Sequence, residues 1–406
     1  MSDSAPQLLR HHRPFLAFWL ARVFTASGFQ MLTVAIGWHL YQLTGNVLDL
    51  GLVGLVEFAP RVLFMLHTGH VADRYDRRKV AALCQTLQAL IALALAVGSF
   101  TDNVSRELIF VLAFLLGAAR SFEMPATQAL LPNVVPPGLF PRAVAASASA
   151  TQAATIVAPA VGGLLYALGS TWVYGPTVVL YLIACLLTLS LDALRQQPQP
   201  GRANLDSLLA GIRFIRSRPD ILGAISLDLF AVLLGGATAL LPVFAKDILL
   251  TGAWGLGLLR SAPAVGALLM SLWLARFPVE RKVGLTMFTA VGIFGVATIA
   301  FGLSTSFWFS LAVLVVLGAA DMISMVIRSA FVQLETPDEM RGRVSAVNGL
   351  FIGASNQLGE FESGVTAHWF GTVPAVVLGG VGTLVVTGVW MKLFPTLTHR
   401  DRMHNS

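Results

Sequence analysis

Apolar residues in this chain fall in long unbroken runs, without the polar interruptions that a soluble helix or strand shows every few positions. The runs are about 20 residues long, the length a helix needs to cross a hydrocarbon layer about 30 Å thick. Reading each run between its charged or Gly/Pro-rich breakers gives about twelve spans: 15–43, 47–67, 79–99, 106–127, 140–168, 172–192, 221–245, 254–275, 283–303, 306–331, 343–370 and 373–395. Helices rather than a barrel follow, because the runs are continuously apolar instead of apolar at every second position. The pattern predicts an all-α membrane protein.

Composition supports this reading. Of 406 residues, 56% are hydrophobic and only 12% charged, about half the charged share of an ordinary soluble domain. The opening "MSDSAPQLLRHHRP" has no short apolar core ending in a small-residue cleavage site, so the first run is expected to stay in the protein. Cys84 and Cys185 lie inside apolar runs, which argues against a disulfide framework, and no Cys/His cluster has the spacing of a metal site. No "GxxxxGK[ST]" phosphate loop is found, which argues against ATP-driven chemistry, and neither an enzyme nor a cofactor is expected.

Charge sets the sidedness. Of the 27 Lys and Arg, five lie within spans and only Arg106 and Lys246 fall on one side. The remaining twenty share the side of the two termini. The positive-inside rule then places both termini in the cytoplasm and requires an even number of spans. This distribution accounts for the net charge of +6 without a nucleic-acid partner. The longest loop, "DALRQQPQPGRANLDSLLAGIRFIRSRPD", divides the chain into residues 1–192, a linker 193–220 and residues 221–406. Within the linker, Leu205 to Arg218 is basic and amphipathic and is expected to lie on the anionic inner leaflet, making membrane lipid a partner.

The two parts resemble each other. "GAARSFEMPATQALLPNVVPPGLFPRAVA" from Gly117 aligns without a gap to "GAADMISMVIRSAFVQLETPDEMRGRVSA" from Gly318, pairing Gly117 with Gly318, Pro136 with Pro337 and Arg142 with Arg343. "GLVEFAP" (Gly54 to Pro60) matches "GLLRSAP" (Gly257 to Pro263), and "ADRYDRRKV" has a worn copy in "ARFPVERKV". Two pseudo-symmetric six-helix halves are predicted. Alternating-access transporters are commonly built from such repeats, with the substrate site between them near the midplane.

With twelve spans, two halves and "GHVADRYDRRK" between the second and third helices, the chain resembles the major facilitator superfamily, whose loop signature is Gly-x-x-x-Asp-Arg-x-Gly-Arg-Arg/Lys. Gly69, Asp73, Arg74, Arg77 and Arg78 match it, while Asp76 stands where the family usually has Gly. "APAVGG", with Pro159, Gly162 and Gly163, is similar to the fifth-helix pattern of the superfamily's exporters, with Ala158 replacing its first Gly. The segment from "NGLFIGASNQLGEFESG" onward resembles the efflux branch that includes the enterobactin exporter. The resemblance implies the major facilitator fold, a likely monomeric secondary transporter and a proton gradient as energy source. It also implies a conformational latch, in which Asp73 faces the start of helix eleven near Arg341 and Arg343 while the cytoplasmic side is closed. A carboxylate at a helix N-terminus is favoured by about 0.3–1 kcal/mol at exposed sites. The plain alternative is that Arg74, Arg77 and Arg78 only set topology.

Charges inside spans are costly and point to function. Glu57 lies about 15 Å into helix two, at 1.5 Å per residue, with Arg61 one turn further on and Pro60 between them. The repeat puts Arg260 opposite Glu57. Both are expected to face the pathway, Glu57 as substrate contact or proton acceptor, unless Glu57 and Arg61 form a static pair. Asp228 and Asp321 are candidate proton carriers, or paired and silent, and Arg22 is a candidate contact for an anionic substrate. Arg120 and Glu123, three residues apart, are expected simply to pair. The function expected is export of a small amphipathic molecule, siderophore- or drug-like, in exchange for protons across the cytoplasmic membrane. An importer of the same fold and a transporter-derived sensor are the alternatives.

Overall fold

The computed structural model describes Leu9, residues 12–191 and residues 205–402, with side chains except at Leu66, His70, Ala72, Asp73 and 205–208. The helices are α1 (Arg13–Thr44), α2 (Val47–Leu63), α3 (Met65–Arg74), α4 (Arg77–Phe100), α5 (Arg106–Val134), α6 (Phe140–Ala167), α7 (Ser170–Leu189), α8 (Leu205–Ser217), α9 (Pro219–Leu234), α10 (Leu241–Val243), α11 (Gly252–Arg276), α12 (Val283–Gly302), α13 (Phe307–Leu334), α14 (Asp338–Phe370), α15 (Thr372–Leu393) and α16 (Pro395–Thr398). No strand occurs among the described residues. Ten helical stretches are long and apolar enough to cross a membrane. The two further predicted spans are helical but differ from the others. One is interrupted at Phe64, between α2 and α3. The other, α14, is 33 residues long but carries Asp338, Glu339, Arg341, Arg343, Glu360 and Glu362.

The surface is inverted relative to a soluble protein. Leu83 and Leu186, on α4 and α7, are 72% and 67% exposed, whereas Gln85, Gln88 and Glu123 are buried. Lipid covers the first kind at little cost, and protein must satisfy the second.

Backbone packing divides the chain into two compact bodies: Met1–Leu43 with Val56–Arg202, and Thr44–Leu55 with Ala203–Ser406. In the first, α4 packs between α5 and α7. In the second, α11 packs on α13, and α12 on α13 and α15. The same contact recurs in both bodies and explains the repeated glycine. A Cβ on Gly117 would strike the carbonyl oxygen of Glu57, and one on Gly318 that of Pro263. In each body a long helix therefore meets the backbone of its proline-containing neighbour, an approach only glycine permits.

Two local features depart from continuous helices. Pro60 stays inside α2, and the interruption falls one turn later at Phe64, whose N–H still donates to Pro60 O at 2.8 Å. The predicted span 221–245 ends its regular helix at Leu234. It continues past Gly235 and Gly236 as a 3₁₀ turn, α10 and a π turn at Phe244–Ile248.

The amphipathic linker helix corrects an expectation. Residues 193–204 of the linker lie outside the described residues, but α8 is formed, and its apolar face meets protein rather than lipid. Ile212 and Ile215 pack with Val332, Val344 and Val347, and Gly211 sits against the Arg343 backbone. The buried area is thus already satisfied, leaving Arg213, Arg216 and Arg218 exposed. At the other end of this body, the chain after α15 folds back. Leu397 joins the core of Phe288 and Phe331, and Gly284 N donates to Arg400 O at 3.1 Å. Arg400 lies between Asp220 and Glu335, with its guanidinium 5.0 Å from the Phe331 ring centre.

Candidate functional site

In the first body, charged and polar side chains from α1, α2, α4, α5 and α7 converge. Glu123, on α5, is 3% exposed. Gln85 and Gln88, three residues apart on α4 and therefore on one face, donate to its two oxygens at 3.4 and 2.8 Å. Gln85 Nε2 also reaches Thr25 Oγ1 of α1 at 3.2 Å. Arg120 Nη1 stands 3.9 Å from Glu123 Oε2, beyond hydrogen-bond distance, and its guanidinium lies 3.9 Å from the Phe29 ring centre. The simple pair expected for Arg120 and Glu123 is thus a looser contact inside a larger cluster.

A cavity of about 120 Å³ opens beside this cluster, lined by Arg22, Thr25, Gln85, Arg120, Glu123 and Thr151 among others. Arg22 is partly buried and donates weakly to Thr151 Oγ1 of α6, at 3.4 Å. Glu57 and Arg61, also partly buried, are within electrostatic reach of each other, and Arg61 of Arg120. Tyr181 of α7 is fully buried against Gly28, and its hydroxyl has no hydrogen-bond partner among the described residues. The predicted Arg22, Glu57 and Arg61 therefore share one polar interior. Pro159, Gly162 and Gly163 are buried in α6, and Gly162 brings that helix onto Met31 of α1.

In the second body Asp228 of α9 is ion-paired with Arg328 of α13, and both are almost wholly buried. Asp321 lines a recess with Asp228, Phe294 and Ser324 and makes no ion pair among the described residues. Arg260 of α11 is within electrostatic reach of Glu360 of α14, so its local counter-charge is a residue expected only at a rim.

The signature loop is tied into the first body. Asp76 caps α4, accepting from Arg78 N at 3.0 Å, and pairs with the Arg78 guanidinium at 3.1 Å. Partial burial pushes its carboxyl up, but the Arg78 side-chain and backbone hydrogen bonds, the Arg78 charge and the Lys79 N–H outweigh this and hold it below the ordinary value. Arg78 also donates to Leu191 O, and the buried Arg77 to Ala129 O at 3.0 Å. Gly69 lies in α3 and Arg74, at its end, is exposed. Asp73 is in the same helix, but its side chain lies outside those described. Arg341 is exposed and pairs with Asp338 at 2.6 Å, and the exposed Arg343 meets Met340 Sδ at 3.5 Å.

The sequence reading missed Gln85, Gln88 and Tyr181 and undervalued Glu123. The available signal was two glutamines at helical spacing inside a run where every other buried position is apolar or small.

A profile described as "transmembrane secretion effector" matches residues 4–404. The enterobactin exporter EntS of Escherichia coli O1:K1 / APEC is 28% identical over 380 residues, covering 93% of this chain and 87% of the exporter. A crystal structure of the nucleoside transporter NupG superposes with a TM-score of 0.73 at 17% identity, covering 94% of this chain and all of NupG. A bacterial homologue of the iron transporter ferroportin, in an inward-facing state, gives a TM-score of 0.72 at 16% identity, covering 97% of this chain and all of that one. These structural likenesses concern the fold.

Proposed function

The chain belongs to the transmembrane secretion effector family of major facilitator transporters, and on that premise we propose that it exports a small amphipathic molecule, siderophore- or drug-like, in exchange for protons. It is a multi-pass membrane transporter and not an enzyme. Export is supported by the likeness to EntS along 93% of the chain. Exchange for protons is supported by one observation above the rest: acidic and basic groups gathered around a polar cavity inside an otherwise apolar helical body. Desolvated charges of this kind are retained within membranes for ion and substrate passage.

In this reading the two bodies rock about a midplane site in the bacterial inner membrane, with both termini cytoplasmic. Arg22 contacts acidic or hydroxyl groups of the substrate. Glu57, Arg61 and Arg260 line the pathway, and Asp321 is the proton-exchanging carboxylate of the second body. Gly69, Asp73, Arg74, Arg341 and Arg343 form the closing contact, while Arg77 and Arg78 brace the loop that carries it.

Everted membrane vesicles test this. Acidifying the vesicle interior is expected to drive accumulation of enterobactin, used as the probe, and a protonophore to abolish it. Accumulation only when the exterior is acidified identifies an importer and overturns the proposal. A gradient-independent signal removes the coupling.

A further inference from the structure

We propose that Glu123 is the proton-binding carboxylate of the first body, and that Gln85 and Gln88 form an amide pair that reorients as Glu123 changes charge. The inference rests on the proton-exchange reading and names the group that performs it, which is not among the carboxylates singled out from the sequence.

The geometry favours a site with two states over a static ion pair. Glu123 receives one amide N–H on each oxygen, from Gln85 at 3.4 Å and Gln88 at 2.8 Å, while the adjacent guanidinium of Arg120 is held over Phe29 and does not close a bridge. In this arrangement the amides serve the ionised form. Yet each pays for it: Gln85 Oε1 and Gln88 Oε1 are buried and accept no hydrogen bond among the described residues. An unmet buried acceptor is costly. Turning either amide by half a rotation exchanges its NH₂ and oxygen at almost no change in volume and presents the oxygen to Glu123. A protonated Glu123 can then donate its O–H to that oxygen. Both charge states are therefore hydrogen-bonded by the same three side chains, and the acceptor unmet in one state is used in the other.

Access and electrostatic setting agree with this. At about 30 Å³ per molecule, the 120 Å³ cavity reaching Gln85 and Glu123 has room for about four waters. A hydronium there gives its proton to the carboxylate and leaves as water, and the reverse transfer returns it. No other bond forms or breaks. The ionisable groups facing this centre are Arg22 from α1, Glu57 and Arg61 from α2, Cys84 from α4, Arg120 from α5 and Tyr181 from α7. From α6 the cavity receives Thr151, which does not titrate. Three guanidiniums and two carboxylates give the cluster one net positive charge while Glu123 is ionised and two once it is protonated. The interior thus changes charge by one unit with each proton carried.

The test uses the full-length transporter in lipid vesicles. Infrared difference spectra across a pH titration are expected to show a carboxylic C=O band that disappears in Glu123→Gln. In the same vesicles the variant's enterobactin movement is expected to lose its response to an imposed pH gradient by at least ten-fold. An unchanged band in E123Q overturns the inference, whatever transport shows. If the wild type shows no gradient-driven transport while the band still depends on Glu123, proton exchange fails and the assignment of the proton site stands. Should E123Q not reach the membrane, Gln85→Met/Gln88→Met keeps Glu123 in place. Its band is then expected to titrate at least one pH unit away from the wild-type midpoint, and an unmoved midpoint overturns the role of the amides.

Discussion

Replacing Arg328 by Met removes the cation from the Asp228–Arg328 pair while keeping much of the side chain's volume. The two side chains are 2% and 9% exposed, so water does little to screen the carboxylate left behind. Removing one partner of a buried pair costs about 3–5 kcal/mol. The exposed Arg341–Asp338 pair, 48% and 85% accessible, belongs instead to the class worth about 0–1 kcal/mol. A body of about 200 residues shifts its melting midpoint by about 2–4 °C per kcal/mol. R328M is therefore expected to melt on the order of ten degrees below the wild type in detergent, and R341M almost unchanged. Asp228→Asn in the R328M background removes the orphaned charge and is expected to recover most of the loss. The assay is thermal unfolding followed by tryptophan fluorescence on purified full-length protein. Equal midpoints for R328M and wild type, or a double variant as unstable as the sum of the singles, would refute the view that this pair is structural and that Asp321 is the carboxylate of this body left to exchange protons.

Two further outcomes follow from the ends of the helices. Asp76→Ala removes a helix cap and is expected to cost about 0.5–2 kcal/mol. Because the folded carboxyl sits below its ordinary value, the contribution is full above the unfolded value of about 3.9 and is lost as the pH falls through the folded one. Melting midpoints of wild type and D76A measured against pH are expected to converge in acid, and a constant gap would exclude the charge effect. Arg400→Met leaves Asp220 and Glu335 without their shared cation. Both carboxylates are partly solvated, so the expected cost is about 2–4 kcal/mol. Limited proteolysis of membranes is expected to cleave near the C-terminus faster in R400M, and an unchanged digestion rate would show that Leu397 alone holds the segment.

The relation between sequence and structure differs from element to element. Long apolar runs located the helices within a few residues, because in hydrocarbon a segment must satisfy its own backbone and helix is the available solution. The repeated Gly117 and Gly318 were legible as a pattern, but their meaning, contact with the carbonyls of Glu57 and Pro263, was not. The interruption at Phe64 and the π turn after Gly236 were not legible, since no residue type demands either. The α8 helix was read correctly as amphipathic, yet periodicity alone does not say whether its apolar face meets lipid or Val344 and Val347. Asp76 was visible as a departure from the signature, and only its geometry identifies it as the α4 cap.

By itself, then, the sequence determined the all-α membrane architecture, the two related halves and the short list of charges that hydrocarbon would not tolerate unpaired. Tertiary structure alone decided which of those charges are matched. Partnering depends on side chains brought together from distant helices: Asp228 with Arg328 across 100 positions, Glu123 with Gln85 and Gln88 across more than 30. In a low-dielectric interior a difference of an ångström or two separates a locked ion pair from a group free to change its charge. That distance is set by packing, and no spacing along the chain contains it.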